Sequence, residues 1–451
     1  MFRFWDSLNS AERSELVRQT AALDLEELLR GLERAMTNHA AGHVPRLEPI
    51  EVEALPERGG DPARRDAARA AGEALLRAGR VGVMVVAGGQ ATRLGYPGPK
   101  GLFPLGPISE RCLFAQQAQK LLRLRSRYRR AIPWYVMTSP ATDAATRAGF
   151  EQSDYFGVPQ EDIFFFTQAM VPSFDFEGRL MLESPGRIFE NPNGHGGSLT
   201  ALLESGALDH MDQRGIDTLF YYQVDNPLVP LADPVFIGFH AQSGAEMSCK
   251  VIRKRDPDEK VGVVTQLDGR VGVVEYTEID EQNRNARGAD GELLYWAGNM
   301  ALHVFDVGFV RRVAADAALL LPYHASAKKI PTVNDAGERV EPDAPNGHKL
   351  ERFVFDALAA ARSVCVVEAR REEEYSPVKN AEGSDSPATA RADLEACYRA
   401  WLEEAGIALP RGVRTEIDES RIANASDLRE LGIRRVEDAP QAIRTASGVE
   451  A

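Results

Sequence analysis

Residues 81–104 read VGVMVVAGGQATRLGYPGPKGLFP. The run Val81–Ala87 is valine-rich and uninterrupted by polar residues, the pattern of a buried strand. Gly88 and Gly89 follow at once. Without a Cβ, such residues let backbone N–H groups approach a phosphate and accept φ angles closed to other side chains. Arg93 and Lys100 add two cations to the same loop. Residues 88–100 contain four glycines, two prolines and these two cations, more than a plain strand-to-helix connector requires. Neither common glycine loop is present: there is no Gly-x-Gly-x-x-Gly, and Gly-Lys occurs nowhere in the chain. The stretch predicts an anion site at the C-terminal end of a strand and leaves the ligand open.

Working outward, short β-branched or aromatic runs recur at Val81–Ala87, Trp134–Thr138, Ile163–Phe166, Thr218–Val224, Met247–Ile252, Val261–Thr265, Val271–Tyr276 and Val364–Glu368. Helical patterns at Leu113–Arg129 and Gly197–Ala207 fall between the early ones. This alternation predicts an α/β sheet covered on both faces, with ligands beyond the C-terminal strand ends. The closely spaced runs between 247 and 276 predict some antiparallel pairing. Upstream, residues 10–36 read as one helix capped by Ser10. Asp61-Pro62 opens another that Gly79 closes. Downstream, a polar stretch at Asn380–Pro387 marks a boundary, followed by a helix at Ala390–Ala405. The expected organisation is an N-terminal helical subdomain (1–79), a central domain (80–380) and a small C-terminal domain (381–451).

Composition narrows the function. The 451 residues are 44% hydrophobic, enough for a large core and two or three domains. The net charge of −14, without a basic block, argues against a nucleic-acid polymer or an anionic membrane as partner. Local cations can still bind small phosphates. The four cysteines (Cys112, Cys249, Cys365, Cys397) are far apart and form no Cys-x-x-Cys, so neither a disulfide framework nor a zinc site is expected. Residues 1–10 include Arg3 and Asp6 and no apolar stretch, and the apolar runs are strand-sized. A soluble cytoplasmic protein is expected.

Four further stretches could carry chemistry. NPNGHGGS (191–198) sets three glycines around His195 just before a helical pattern. It reads equally as a second close backbone approach or as a capping turn with an exposed histidine. FYYQVD (220–225) ends an apolar strand on Asp225. A carboxylate there can hold Mg²⁺ beside phosphates, or simply end a strand in an Asp-Asn turn. Lys379, in EEYSPVKN (373–380), reads alone as a surface lysine. Glu275 and Asn299 are polar positions in apolar strand-like runs and need partners, which a sugar hydroxyl or a backbone group would supply.

Taken together, AGGQATRLGYPGPKG (87–101), NPNGHGGSLTAL (191–202), QVDNPLVPLADPVFIGF (223–239), VGVVEY (271–276), AGNMALHVF (297–305), PNGHKLERFVFD (345–356) and EEEYSPVKNAEG (372–383) resemble, in this order, a known family. These are the UTP-dependent sugar-1-phosphate uridylyltransferases, and the eukaryotic-type UDP-N-acetylglucosamine pyrophosphorylases among them are most similar. The resemblance spans residues 60–395. It implies a Rossmann-like nucleotidyltransferase domain with a mixed central sheet, flanked by an N-terminal helical part and a C-terminal part.

The resemblance also assigns roles. Ala87, Gly88 and Gly89 match the backbone that holds the uridine nucleotide, with Arg93 and Lys100 reaching its phosphates. Gln168 matches the glutamine that reads the uracil edge, and Gly194 and His195 match the Gly-Asn step at the nucleoside. Asp225 matches the aspartate that binds Mg²⁺ (or Mn²⁺). Gly262, Glu275 and Asn299 match sugar contacts, with Phe353, Phe355 and Lys379 around the sugar phosphate. The implied partners are UTP, a sugar 1-phosphate, the UDP-sugar and pyrophosphate. His195 stands where N-acetylglucosamine-specific relatives usually carry Asn and resembles the glucose or broad-range enzymes; Ala91 replaces a usual glycine. The acetamido sugar, glucose or a broad range, and a non-catalytic UDP-sugar sensor are therefore all carried as readings. A sugar phosphate is largely a dianion above pH about 6 and needs no general base to attack. The expected task is electrostatic: two polyanions must be held in line at the UTP α-phosphate.

Overall fold

A computed structural model describes residues 2–40, 46–316, 321–410 and 412–447. The valine-rich run forms strand β1 (Val81–Val86). The sheet around it contains β2 (Trp134–Thr138), β3 (Ile163–Thr167), β4 (Thr218–Gln223), β5 (Met247–Arg253), β6 (Ala297–Asp306) and β7 (Val364–Glu368). The order across the sheet is β3-β2-β1-β4-β6-β5-β7. Neighbours are parallel except at β6, which runs antiparallel to both β4 and β5. The expected mixed α/β sheet is what the chain forms. The hairpin Val263–Leu267/Arg270–Val274 supplies the antiparallel pairing expected after residue 247 and joins β6 through Val263 opposite Gly298.

β1 and β4 are in register from Val81 opposite Thr218 to Val86 opposite Gln223. This places Ala87-Gly88 beside Val224-Asp225, and the Val224 N–H donates to the Val86 carbonyl at 3.1 Å. The side-by-side pairing of the glycine loop with Asp225 is thus a consequence of sheet register.

Each face of the sheet carries one apolar core. One core contains α1 (Pro62–Ala78), α2 (Leu113–Tyr128), α3 (Pro234–Ser243) and α4 (Pro387–Glu404). The other contains the helices Ser198–Glu204, Ala207–Gln213 and Val307–Ala315. α1 and α3 cross in backbone contact. A Cβ on Gly72 would lie 1.9 Å from the Pro234 carbonyl oxygen, and one on Gly238 would lie 1.7 Å from that of Ala68. Ile417, Leu428 and Ile443, from the last part of the chain, belong to the same core as the sheet. Their hairpin, Val413–Ile417/Ile443–Ser447, lies against α4. No helix among the described residues is long and apolar enough to cross a membrane.

Three helix expectations change. Residues 10–36 form two helices, Ser10–Ala21 and Leu25–Ala40. The break falls where the Asp24 side chain accepts the Glu27 N–H at 2.9 Å, the cap of a new helix. The first helix is capped by Asn9, in a box with Glu12, and not by Ser10. The helix expected over 197–207 is divided at Gly206, whose φ of +77° ends one helix and starts the next.

Candidate active site

The C-terminal edge of the sheet collects most of the candidate residues. After β1, the loop closes on itself: the Ala91 N–H donates to the Gly98 carbonyl at 2.9 Å, and the Lys100 N–H to the Gly89 carbonyl at 3.0 Å. Lys100 therefore returns to the strand end that the glycines left. Gly88 is enclosed. Its carbonyl accepts from Ser139 Oγ at 2.8 Å, and a Cβ would lie 2.4 Å from Gln168 Nε2. Gly89 is open: none of the described residues comes within 4 Å of where a Cβ would stand. Arg93 is exposed on the short turn Thr92–Leu94, while Lys100 is drawn inward. Lys100 Nζ donates to the Val378 carbonyl at 3.2 Å and stands 3.6 Å from Asp225 Oδ2.

Gln168 follows β3 and is 6% exposed. Its backbone N–H donates to the Thr138 carbonyl at 3.0 Å, while its side-chain Oε1 is buried with no partner among the described residues. A buried acceptor of that kind needs a donor, which a water or a ligand group supplies.

The 191–198 stretch is a close backbone approach. Gly194 has φ +72°, and a Cβ there would lie 2.5 Å from the Arg352 carbonyl oxygen. The reading of His195 as an exposed capping-turn residue does not hold. Its Nδ1 accepts the Val354 N–H at 3.0 Å, which leaves the proton of the neutral ring on Nε2. Burial pushes its pKa down to about 4. Its ring stacks on Phe353, with centroids 5.3 Å apart and planes 18° apart. Phe353 in turn stacks on His324 at 4.3 Å.

One cavity at the sheet edge brings His195, Asp225, Gly262, Glu275, Asn299, Phe355 and Lys379 together. Phe353 does not line it; it sits one layer back, between the two histidines. Gly262 keeps the cavity open, since a Cβ would lie 3.0 Å from Glu275 Oε1. Burial, and then the charge of Glu278, raises the pKa of Glu275. Asn299 Oδ1 accepts the N–H of Ala301, whose φ of +55° is rare for alanine. Lys379 is half-buried, unlike the surface lysine that its local sequence suggested. Burial works against its charge, but Tyr375 and Asp225 outweigh it and raise its pKa. The Tyr375 ring centroid is 6.0 Å from Lys379 Nζ.

Asp225 and Lys379 are held together by the backbone. The Val378 N–H donates to the Asp225 carbonyl at 2.9 Å. Asn226 Nδ2 donates to the Glu374 carbonyl at 2.7 Å, and Asn226 Oδ1 accepts the Ser376 N–H at 3.1 Å. Beneath them Lys250, 1% exposed, bridges Asp233 at 2.6 Å and Glu374 at 2.5 Å. Burial alone would lower the pKa of Lys250; the two carboxylates more than offset this and raise it.

Residues 43–385 match the family described as UTP–glucose-1-phosphate uridylyltransferase. The chain belongs to this family. It is 39% identical over 425 residues to the human UDP-N-acetylhexosamine pyrophosphorylase-like protein 1, covering 90% of this chain and 83% of that protein. It is 34% identical to the UDP-N-acetylglucosamine pyrophosphorylase of Saccharomyces cerevisiae, covering 95% and 93%. Among solved structures, the uridine diphosphate N-acetylglucosamine pyrophosphorylase of Trypanosoma brucei in complex with inhibitor superposes with a TM-score of 0.83 at 29% identity, covering 94% of this chain and 90% of that one.

Several residues of this site escape sequence reasoning. Lys250 lies in MSCKVIR, a strand buried from Met247 to Ile252. A lone lysine in such a run signals a buried charge that needs carboxylates, but Asp233 and Glu374 are too distant in sequence to be named as its partners. His324 gives no local signal. It becomes part of the aromatic wall only because Tyr323–Lys328 pairs with Gly347–Arg352, the strand that leads into Phe353.

Proposed function

We propose that this chain joins UTP to N-acetylglucosamine 1-phosphate, or a related N-acetylhexosamine 1-phosphate, forming the UDP-sugar and releasing pyrophosphate. The observation that carries the reading is the convergence of Lys100, Asp225 and Lys379 at the end of β4. On one side of them lies the glycine loop with the unpaired acceptor of Gln168. On the other lies the cavity with Glu275 and Asn299. The names of the human, yeast and trypanosomal relatives support the acetamido sugar.

The chemistry follows from charge. The attacking sugar phosphate and the UTP triphosphate repel one another, and the barrier falls when cations take up that charge in a fixed geometry. Lys379 neutralises the sugar phosphate. Lys100 and Arg93 take up charge on the β- and γ-phosphates as pyrophosphate departs. Gly88 and Gly89 seat the nucleotide backbone, and Gln168 orients the base through its free oxygen. Glu275 and Asn299 fix the sugar hydroxyls, and Phe355 walls the sugar.

A Mg²⁺ (or Mn²⁺) fits this donor set. Among the described residues no cluster of three or more His, Cys, Asp or Glu side chains could hold a metal. Of the two carboxylates lining the cavity, Asp225 and Glu275, Asp225 is the one beside Lys100. One carboxylate plus substrate phosphate oxygens is a common way to bind Mg²⁺. Held there, the ion would supply charge neutralisation between the two phosphates.

The experiment is pyrophosphate release from UTP with Mg²⁺ and a panel of N-acetylglucosamine, N-acetylgalactosamine, glucose and galactose 1-phosphates. Preference for an N-acetylhexosamine is expected. A preference for glucose, or equal use of all four, would establish the second reading, which His195 favours. UDP-sugar binding without pyrophosphate release would leave only the sensor.

A further inference from the structure

The turn after β4 is gripped from a second side as well. Two side chains of α2 take three of its carbonyls. Gln117 Nε2 donates to Val224 O at 3.0 Å; Lys120 Nζ donates to Pro227 O at 2.5 Å and to Val229 O at 3.0 Å. Lys120 is 4% exposed. Its carboxylate partner is Glu419, with Oε2 at 3.4 Å. Glu419 follows the strand Val413–Ile417 and is itself 5% exposed. Its other oxygen accepts from the Tyr398 hydroxyl at 2.9 Å.

A buried ammonium bound only to carbonyls keeps most of its desolvation cost, and a carboxylate within reach offsets it. The grip of Lys120 on 227–229 therefore depends on Glu419. That residue lies beyond the 43–385 segment that matches the family. The same stretch reaches the other side of the phosphate site. The Glu416 carboxylate accepts the N–H groups of Ile108 and Ser109, both at 2.7 Å, in the segment that follows Lys100 and Gly101.

We infer that Glu419 is a positioning residue for Asp225, acting through Lys120, so that the C-terminal part of the chain completes the phosphate site. The inference rests on the reading of Asp225 as the carboxylate that holds the metal. Glu419→Gln keeps the size and an acceptor for Tyr398 while removing the charge.

The test uses the full chain, compared with wild type in three measurements: deuterium exchange of the peptide spanning 224–229, Mn²⁺ binding in the presence of UTP by electron paramagnetic resonance, and steady-state kinetics. Faster exchange in 224–229 is expected. Mn²⁺ affinity and kcat should each fall about tenfold, with both KM values within about twofold of wild type. Lys120→Gln, which removes the ammonium itself, should give the same pattern and serves if Glu419→Gln does not fold. Unchanged exchange in 224–229 together with unchanged Mn²⁺ binding in a folded variant overturns the inference. Inactivity of the wild type on every sugar phosphate would instead count against the proposed reaction, which the exchange measurement does not depend on.

Discussion

Lys100 Nζ and Asp225 Oδ2 stand 3.6 Å apart at the mouth of the sheet, with their side chains only 19% and 13% exposed. Opposite charges at this distance neutralise each other in the absence of ligand. In the proposed reaction, UTP and a divalent cation would offer each a better partner: phosphate oxygens for the lysine and the cation for the aspartate. Removing either charge should therefore harm the reaction far more than the fold. Asp225→Asn and Lys100→Met are each expected to lower kcat by about 10²–10³, the usual cost of losing one preorganised electrostatic contact. Melting temperatures should stay near wild type, because each charge left behind keeps another partner: the Val378 carbonyl for Lys100 and the ammonium of Lys379 for Asp225. A folded Asp225→Asn enzyme working at close to the wild-type rate would remove Asp225 from the mechanism.

The two glycines of the loop should behave differently although they are adjacent. At Gly88 a Cβ would lie 2.4 Å from Gln168 Nε2. Gly88→Ala is therefore expected to displace Gln168 and weaken discrimination between UTP and CTP as well as binding. If one base hydrogen bond is lost, the effect is about 1–3 kcal/mol, or about 5- to 150-fold in the KM for UTP. At Gly89 a Cβ meets none of the described residues. Gly89→Ala should melt like wild type and fail only when nucleotide arrives. Thermal shift with and without UTP separates the two. An unaltered UTP-induced shift in Gly89→Ala would show that the phosphates do not pass over this residue.

Much of this site was legible because it is carried by local sequence. The Val81–Ala87 run, the glycines after it and the aspartate ending Thr218–Gln223 each follow from strand pattern and position. Sheet register then brings them together without further information. What stayed hidden depends on long-range pairing. Lys379 looks like a surface lysine in EEYSPVKN, and becomes part of the site only because Val378 and Ser376 bond to Asp225 and Asn226. His195 looks free in NPNGHGGS, yet its ring is stacked on Phe353 and its Nδ1 satisfied by Val354, more than 150 residues away. The break in the 10–36 helix is the opposite case: Asp24 is a local cap signal, but Leu16, Leu23, Leu28 and Leu29 keep a roughly helical spacing across it.

Lys379 should act on the chemical step rather than on folding. Its raised pKa, set by Tyr375 and Asp225 against burial, keeps it charged throughout the neutral range. Lys379→Met is expected to lower kcat by about 10²-fold or more, with a smaller change in the KM for UTP than for the sugar phosphate. Single-turnover kinetics at saturating sugar phosphate check this. Full recovery of kcat at high sugar phosphate would mean that Lys379 only binds the substrate.

Acid should destabilise the fold through its buried histidines, with His303 the clearest case. It is fully buried between the rings of Tyr221 and Phe305, and burial pushes its pKa down to about 3. In the unfolded chain the same ring takes a proton near pH about 6.5. Below that value the unfolded state binds a proton that the folded state refuses, so this contribution to stability is complete above pH about 6.5 and lost as the pH falls toward about 3. The slope for one such group is about 1.4 kcal/mol per pH unit. His195 and His240, both lowered to about 4 by burial, act in the same direction. His324 acts oppositely: burial disfavours its charge, but Asp356 at 2.8 Å overrides this and raises its pKa. Its contribution is complete below pH about 6.5 and lost as the pH rises through its folded pKa. Comparing wild type with His303→Leu isolates one term. In urea unfolding at pH 7, 6 and 5, the variant should gain on wild type at each step down, approaching about 1.4 kcal/mol per unit below pH about 6. Parallel stability curves for the two proteins would mean that His303 takes up its proton in the folded state as readily as in the unfolded chain.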